Sequence, residues 1–305
     1  IGRRGGLKLH WKHAAVGQCR RFSIQKETGA QRLIGARKKS LKQAQGWSLR
    51  EIVERVPTEA PAHGFVKTKS VKTNALPHVK QRVVVNLDLK DFFPSLGFRR
   101  VKGLFHKGLG YPEPVAVVLA LLCTEPPRVE AELDGKVFHV ALGDRVLPQG
   151  APTSPAITNL VCRRLDRRLG GLAKSLGFAY TRYADDLTFS GEHRGKVGRL
   201  LKAVRDIVPE EGFVVREDKT RIMHRGRRQE VTGVSVNHAV AVPREERRLL
   251  RAILRNAKKA GSLASQNRAQ HAKFRQHLTG RIAWVAMVEP RHAAPLLAML
   301  QTIPD

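Results

Sequence analysis

The sequence predicts an α+β protein, with a mixed α/β middle followed by a basic α-helical tail. Three observations carry that expectation. Val83-Val84-Val85-Asn86-Leu87-Asp88-Leu89 is rich in β-branched residues and nearly all apolar, so it reads as a buried strand. Phe178-Ala179-Tyr180-Thr181-Arg182 and Leu187-Thr188-Phe189-Ser190 flank Tyr183-Ala184-Asp185-Asp186, which places two aspartates at the tip of a β-hairpin. After Pro243 the pattern is largely helical to the end.

In chain order, Phe22 to Lys26 and Gln31 to Ile34 predict two strands around the polar turn Glu27-Thr28-Gly29-Ala30. A helix is expected from Leu41 to Val56, ended by Pro57. Residues 114–123 read as a core helix. Asp134-Gly135 predicts a hairpin turn, because this pair accepts the positive φ angles such turns need. Ser154-Pro155 has the form of a helix start, with Ser154 as N-cap and Pro155 at the first helical position. Ile157, Leu160, Val161 and Leu165 give that helix one apolar face, and Gly170-Gly171 is expected to end it.

The formal charge is +30, from 56 Lys and Arg against 26 Asp and Glu in 305 residues. Such an excess concerns partners rather than fold: it attracts polyanions. Residues 1–50 hold thirteen basic residues and one acid, Glu27, and residues 241–305 hold twelve basic residues and four acids. A catalytic middle between two phosphate-gripping ends is the simplest electrostatic reading. The longest apolar run, Val115 to Cys123, is nine residues and cannot span a bilayer, so no membrane partner is expected. Cys19, Cys123 and Cys162 lack the paired spacing of zinc or disulfide sites, which fits a reducing cytoplasm.

The aspartates carry the chemistry. Asp88 ends the buried strand, and Asp185 and Asp186 sit at the hairpin tip. Two carboxylates about 4 Å apart repel by roughly 4 kcal/mol at an effective dielectric of 20, so such a cluster calls for cations. Oxygen-only ligands suit Mg²⁺. Two such ions about 3.5–4 Å apart can activate an attacking hydroxyl and stabilise a leaving pyrophosphate, as nucleotidyl transfer needs.

Three motifs occur in order: Asp88-Leu-Lys-Asp-Phe92-Phe93, then Pro148-Gln149-Gly150, then Tyr183-Ala-Asp185-Asp186. In this the sequence resembles the reverse transcriptase family. The resemblance implies a right-hand polymerase: fingers from residues 1–80 with an insertion at about 102–145, an antiparallel-sheet palm from 81–240, and a helical thumb from 241–305. It implies that Asp88 and Asp185 bind both metals, with Asp186 contributing less directly. Phe93 matches the steric gate that excludes a 2′-OH, and Phe92 is expected in the core. Gln149 and Gly150 match the loop lining the dNTP pocket, where Gly permits close backbone approach. Lys219 matches the lysine that protonates the pyrophosphate, and Lys26 and Arg32 resemble finger residues that clamp the triphosphate.

Two further matches narrow the family. Asn74-Ala75-Leu76-Pro77-His78 and Val231-Thr232-Gly233 resemble the two signatures of retron reverse transcriptases, and His63-Gly64-Phe65 is similar to the stretch before the first. The resemblance implies that the enzyme copies part of its own structured noncoding RNA from the 2′-OH of an internal guanosine. The product is a branched RNA–DNA molecule, in an anti-phage system with an effector protein. Asn74, His78 and Val231 to Gly233 are then candidates for reading the cognate RNA, and Arg247, Arg251, Arg255 and Lys258 for following a duplex backbone. Two alternatives share the palm motifs. A group II intron-type reverse transcriptase normally adds a maturase region, for which the sequence after residue 240 leaves no room. A polymerase-like RNA-binding module that has lost catalysis would gain nothing from three self-repelling aspartates.

Overall fold

The computed structural model describes residues 19–25, 31–37 and 39–304. The strands are β1 (Cys19–Gln25), β2 (Gln31–Arg37), β3 (Val83–Leu89), β4 (Arg128–Leu133), β5 (Lys136–Ala141), β6 (Phe178–Tyr183), β7 (Asp186–Gly191), β8 (Val215–His224), β9 (Glu230–Val231) and β10 (Val234–Ser235). The α-helices are α1 (Lys39–Glu51), α2 (Val71–Ala75), α3 (Phe98–Gly103), α4 (Glu113–Cys123), α5 (Ser154–Val161), α6 (Arg163–Leu176), α7 (Val197–Glu210), α8 (Arg244–Ala260), α9 (Phe274–Val288) and α10 (Pro290–Gln301). No helix among the described residues is long and apolar enough to cross a membrane.

These elements gather into two compact units. One holds the described residues up to Thr58 together with Asp91–Arg163, and the other holds Glu59–Lys90 and everything from Arg164 onward. This grouping differs from the boundaries expected from sequence. Residues 59–80 belong with the sheet rather than with the first strands, and the tail from 241 forms no unit of its own.

In the first unit, β1 and β2 form an antiparallel hairpin with Ile24 opposite Arg32, and both strands run longer than expected. Apolar Ala116, Leu119, Ala120 and Cys123 bury one side of α4. The Gln45 amide of α1 donates to the Leu122 carbonyl of that helix at 2.7 Å. Asp134 and Gly135 turn β4 into β5 with φ of 51° and 70°, the positive pair that Asp-Gly was expected to supply. Two helix details depart from expectation. Thr153 is the N-cap of α5, because the Ser154 hydroxyl donates to the Pro148 carbonyl at 2.8 Å instead of capping. That helix also stops early, at Val161.

A separate helix, α6, then runs through Gly170-Gly171 and is ended by Gly177, whose φ is 78°. A mid-helix glycine costs about 1 kcal/mol, a penalty that burial of Leu165, Leu169, Ala173 and Leu176 outweighs. The second unit is built on a four-stranded antiparallel sheet in the order β6-β7-β3-β8. Central β3 is buried along both faces, which is why its sequence runs apolar instead of alternating. Val84 joins an apolar cluster with Val231, Val234, Leu250, Leu254, Leu278, Ile282 and Val285, so α8 and α9 share a core with the sheet.

Short α2 is fixed by a capping box in which Ser70 and Thr73 satisfy each other's backbone N–H groups. It delivers His78, fully buried, against β6 and β7: Nδ1 lies 2.6 Å from the Ser190 hydroxyl and Nε2 lies 2.8 Å from the Thr181 hydroxyl. Burial lowers the His78 pKa from 6.5 to about 3, and burial with the nearby Lys69 charge lowers that of His63 to about 4. In the unfolded chain both imidazoles take up a proton near 6.5, whereas the folded chain resists it down to those values. Stability is therefore expected to decline as pH falls from 6.5 towards 4. Thermal unfolding at about pH 7.5 and about pH 5 measures this. His78→Gln should lower Tm at the higher pH, through about 1–3 kcal/mol of lost buried hydrogen bonding, and shrink the difference between the two conditions.

Candidate active site

Asp88 and Asp186 are direct partners across β3 and β7, and Asp185 is the neighbour of Asp186 in the hairpin turn. The three aspartates singled out by sequence are thus brought to one end of one sheet. On the other side of β3, the β8 register shifts between Asn86 and Asp88, an irregularity of the kind that re-aims side chains beside functional sites.

Tyr183 pairs with Asp186, leaving Ala184-Asp185 as a two-residue turn. Ala184 has φ 57°, the left-handed value that the first central position of a type II′ turn requires. For a residue with a Cβ this conformation costs about 1–2 kcal/mol, so the surroundings must enforce it. They do so from three sides. Arg182 Nη1 donates to the Ala184 carbonyl at 3.1 Å, and the Leu89 N–H donates to the Asp185 carbonyl at 3.0 Å. Gly64 lies against the turn so closely that a Cβ there would stand 2.5 Å from the Ala184 nitrogen.

Charge in the cluster is poorly compensated at Asp186. Burial first, then the Asp185 and Asp88 charges, push its pKa from 3.8 to about 7, against the opposing pull of Lys219 and Arg221. Asp88 has its own cations: Lys219 Nζ lies 3.2 Å from Oδ2 and Arg216 Nη1 lies 3.7 Å from Oδ1. With Asp88 drawn to these partners, the carboxylates do not form a ready-made ion cage, and among the described residues no group of three acidic, His or Cys side chains does. The donor chemistry fits a hard divalent cation all the same, since three carboxylates share one end of the sheet and one of them is driven towards protonation by burial and then by its neighbours.

The remaining residues expected from sequence fall in several places. Phe93 is half-buried, its ring 5.6 Å from that of core-buried Phe92. Gln149 is half-buried, and exposed Gly150 has φ 92°, a conformation that excludes most side chains. Arg32 stands on β2, and Lys26 lies outside the described residues.

Asn74 and His78 are corrected by burial. They are 1% and 0% exposed, so neither can touch RNA in this structure. Instead the Asn74 amide donates to the Thr232 hydroxyl at 2.9 Å, joining the two short signatures. Thr232 and Gly233, with φ of 47° and 79°, make the tight turn between β9 and β10, and the Asn86 amide holds the Glu230 carbonyl beside it at 2.9 Å. Val231 is buried and Gly233 exposed. Arg247 has a side chain 23% exposed and pairs with Glu289 at 3.4 Å. Arg251, Arg255 and Lys258 are exposed, and with Arg248, Lys259 and Met299 they line a groove of about 830 Å³.

Sequence reasoning missed Arg182 and Asp166, both 0% exposed and paired at 2.7 Å. The signal was available. Phe178, Tyr180 and Arg182 share one face of β6 by their spacing, and Asp166 falls in line with Leu169, Ala173 and Leu176 on α6.

Comparison with known proteins extends these observations. A solved structure of apo telomerase from Candida tropicalis, truncated from its C-terminal domain, matches with a TM-score of 0.51 at 12% identity, over 73% of this chain and 54% of that one. That likeness concerns the fold alone: mixed helices and an antiparallel sheet in the reverse transcriptase–telomerase arrangement. The family described as reverse transcriptase (RNA-dependent DNA polymerase) matches residues 24–250. The Retron Mx65 reverse transcriptase of Myxococcus xanthus is 48% identical over 275 residues, covering 90% of this chain and 62% of the relative. The Retron Ec73 reverse transcriptase of Escherichia coli is 32% identical over 227 residues, covering 72% and 69% respectively. The chain belongs to the reverse transcriptase family, within its retron branch. It spans 62% of the length of the Myxococcus relative.

Proposed function

We propose that this chain carries the catalytic region of a retron RNA-directed DNA polymerase. It adds dNTPs to copy part of its own structured noncoding RNA, starting from the 2′-OH of an internal guanosine and leaving a branched RNA–DNA product. The observation that carries the reading is the meeting of Asp88, Asp185 and Asp186 at one sheet end, with Asp186 raised to about 7. Asp88, Asp185 and Asp186 are the residues that would hold two Mg²⁺ ions. When bound, such ions activate the attacking hydroxyl and neutralise the pyrophosphate leaving group.

The chain's own groups do the rest. Lys219 Nζ, beside the Asp88 carboxylate, is a proton donor for the pyrophosphate. Phe93 excludes a ribose 2′-OH, and Gln149 and Gly150 line the nucleotide pocket. Arg32 and Lys26 grip the triphosphate, Arg32 through a guanidinium fork suited to phosphate oxygens. Arg251, Arg255 and Lys258 follow the phosphate backbone of a duplex, which makes binding strongly salt-dependent. The Thr232-Gly233 turn, half-buried at Thr232 and exposed at Gly233, meets the cognate RNA, while Asn74 latches that turn in place. By the family resemblance of its motifs, the enzyme works beside an effector protein in anti-phage defence. Fingers, palm and thumb are the corresponding regions, with the palm centred on the four-stranded sheet.

Asp88→Asn and Asp185→Asn are expected to reduce Mg²⁺-dependent dNTP incorporation by about a thousandfold or more, since each removes a metal ligand from the transition state. RNA affinity, measured by filter binding, should stay within about twofold because it comes from Lys and Arg contacts. Near-normal extension by both variants would remove the assignment.

Phe93→Ala should raise the ratio of rNTP to dNTP incorporation by about tenfold or more by opening the space beside the sugar. An unchanged ratio in an active variant would return Phe93 to the core.

Thr232→Ala is expected to impair priming on the cognate RNA while extension of an annealed primer on a generic RNA template continues. Parallel loss of both activities would make the turn a structural element only.

A further inference from the structure

We infer that the buried Arg182–Asp166 pair is a positioning device for the aspartate turn: Asp166 fixes the Arg182 guanidinium, which holds the Ala184 carbonyl and so sets where Asp185 and Asp186 project. The inference rests on the reading of those aspartates as the catalytic pair.

Every part of the guanidinium is committed. Nε donates to Asp166 Oδ1 at 2.8 Å, Nη2 donates to Oδ2 at 2.7 Å, and Nη1 donates to the Ala184 carbonyl at 3.1 Å. Asp166 is braced in turn by the Tyr180 hydroxyl, which donates to Oδ1 at 3.0 Å. The fork on Asp166 fixes the plane and the reach of the arginine, leaving its third edge aimed at the turn. Only a planar guanidinium has donors on three edges at once, so lysine cannot reproduce the arrangement.

The backbone of Arg182 is secured as well. Its N–H donates to the Pro61 carbonyl at 2.8 Å, and its carbonyl accepts from the His63 N–H at 2.7 Å. Lys69 Nζ donates to the Ala60 and Ala62 carbonyls at 2.5 and 2.8 Å, pinning the strip that carries Gly64 against the turn. Arg182 therefore acts as a strut from helix α6 to a residue held in a left-handed conformation.

Stability alone does not explain the pair. A buried ion pair is commonly replaced by apolar side chains of similar volume with no loss of stability, and an apolar replacement would still fill this site. It could not bond the Ala184 carbonyl. Misplacement of reacting groups by 1 Å can cost about a hundredfold in rate, which is the scale on which a strut matters.

The test compares Arg182→Lys, the double variant Arg182→Met with Asp166→Leu, and Asp185→Asn. It measures kcat for dNTP incorporation per folded molecule, Tm, RNA affinity, and Mn²⁺ binding by electron paramagnetic resonance. Arg182→Lys keeps a cation beside Asp166 and is expected to lose about 10- to 100-fold in kcat, with RNA affinity unchanged and Mn²⁺ binding weakened. The double variant keeps the site filled but removes the Asp166 partner of the Tyr180 hydroxyl and the Arg182 donor to the Ala184 carbonyl, so a modest fall in Tm is expected. Its kcat per folded molecule should stay as low as in Arg182→Lys, a result that a purely structural pair would not give. Full kcat in either folded variant overturns the strut. Should the double variant fail to fold, Arg182→Lys decides alone, since it keeps charge and bulk. Full activity in Asp185→Asn would instead overturn the reading of the aspartates, so the two failures are told apart.

Discussion

Mutual repulsion among three carboxylates is the interaction around which the second unit is arranged. Asp88, Asp185 and Asp186 would move apart if the chain were free to let them, and burial together with the Asp185 and Asp88 charges raises the Asp186 pKa to about 7. Three features oppose that tendency. The direct pairing of Asp88 with Asp186 across β3 and β7 fixes two of them by backbone hydrogen bonds. The clamped Ala184-Asp185 turn fixes the third. Lys219 and Arg216 supply positive charge directly beside Asp88, whereas at Asp186 Lys219 and Arg221 offset the burial and repulsion only in part, so the compensation is lopsided. A site that repels its own parts, yet is held in register, is suited to cations and to the phosphates they bring.

The same logic runs outward through the unit. A rigid sheet is needed to hold the cluster, and β3 is rigid because it is buried on both faces. One side of that burial comes from the cluster in which Val84 packs with α8 and α9. The strongly basic helix α8 thus shares its core with the strand that carries Asp88. The surface of α8 carries exposed Arg251, Arg255 and Lys258, while Arg247 pairs with Glu289.

Much of the fold was legible in the sequence because it follows from local chemistry. β-Branched residues gave β3, Asp134-Gly135 gave its turn, and the two flanks of Tyr183 to Asp186 gave the hairpin. What was not legible concerned inside and outside. Asn74 and His78 carry groups that suit a nucleic acid, but those groups equally suit Thr232, Ser190 and Thr181, and only the fold shows which partners they meet. Helix limits failed for a related reason: Gly170-Gly171 looks like a stop in isolation, whereas burial of the neighbouring apolar face carries α6 through it to Gly177. The link between Asn74 and Thr232 spans 158 residues, a distance no local pattern can encode.

Arg182 illustrates how a functional reading can be drawn from a residue that breaks a local rule. Strand periodicity puts it in the inward row with Phe178 and Tyr180, where an apolar side chain is due. Placing a guanidinium there demands a carboxylate, and helix periodicity puts Asp166 among leucines to meet it. Two violations at two separate elements, each useless without the other, cost desolvation that an apolar pair would avoid. What the apolar pair lacks is a donor for the Ala184 carbonyl, and Ala184 is the one residue of this turn in a left-handed conformation. The local exceptions therefore converge on a single peptide group, the one that joins Ala184 to Asp185. Stability that could have gone into the core is held instead as geometry at the carboxylates.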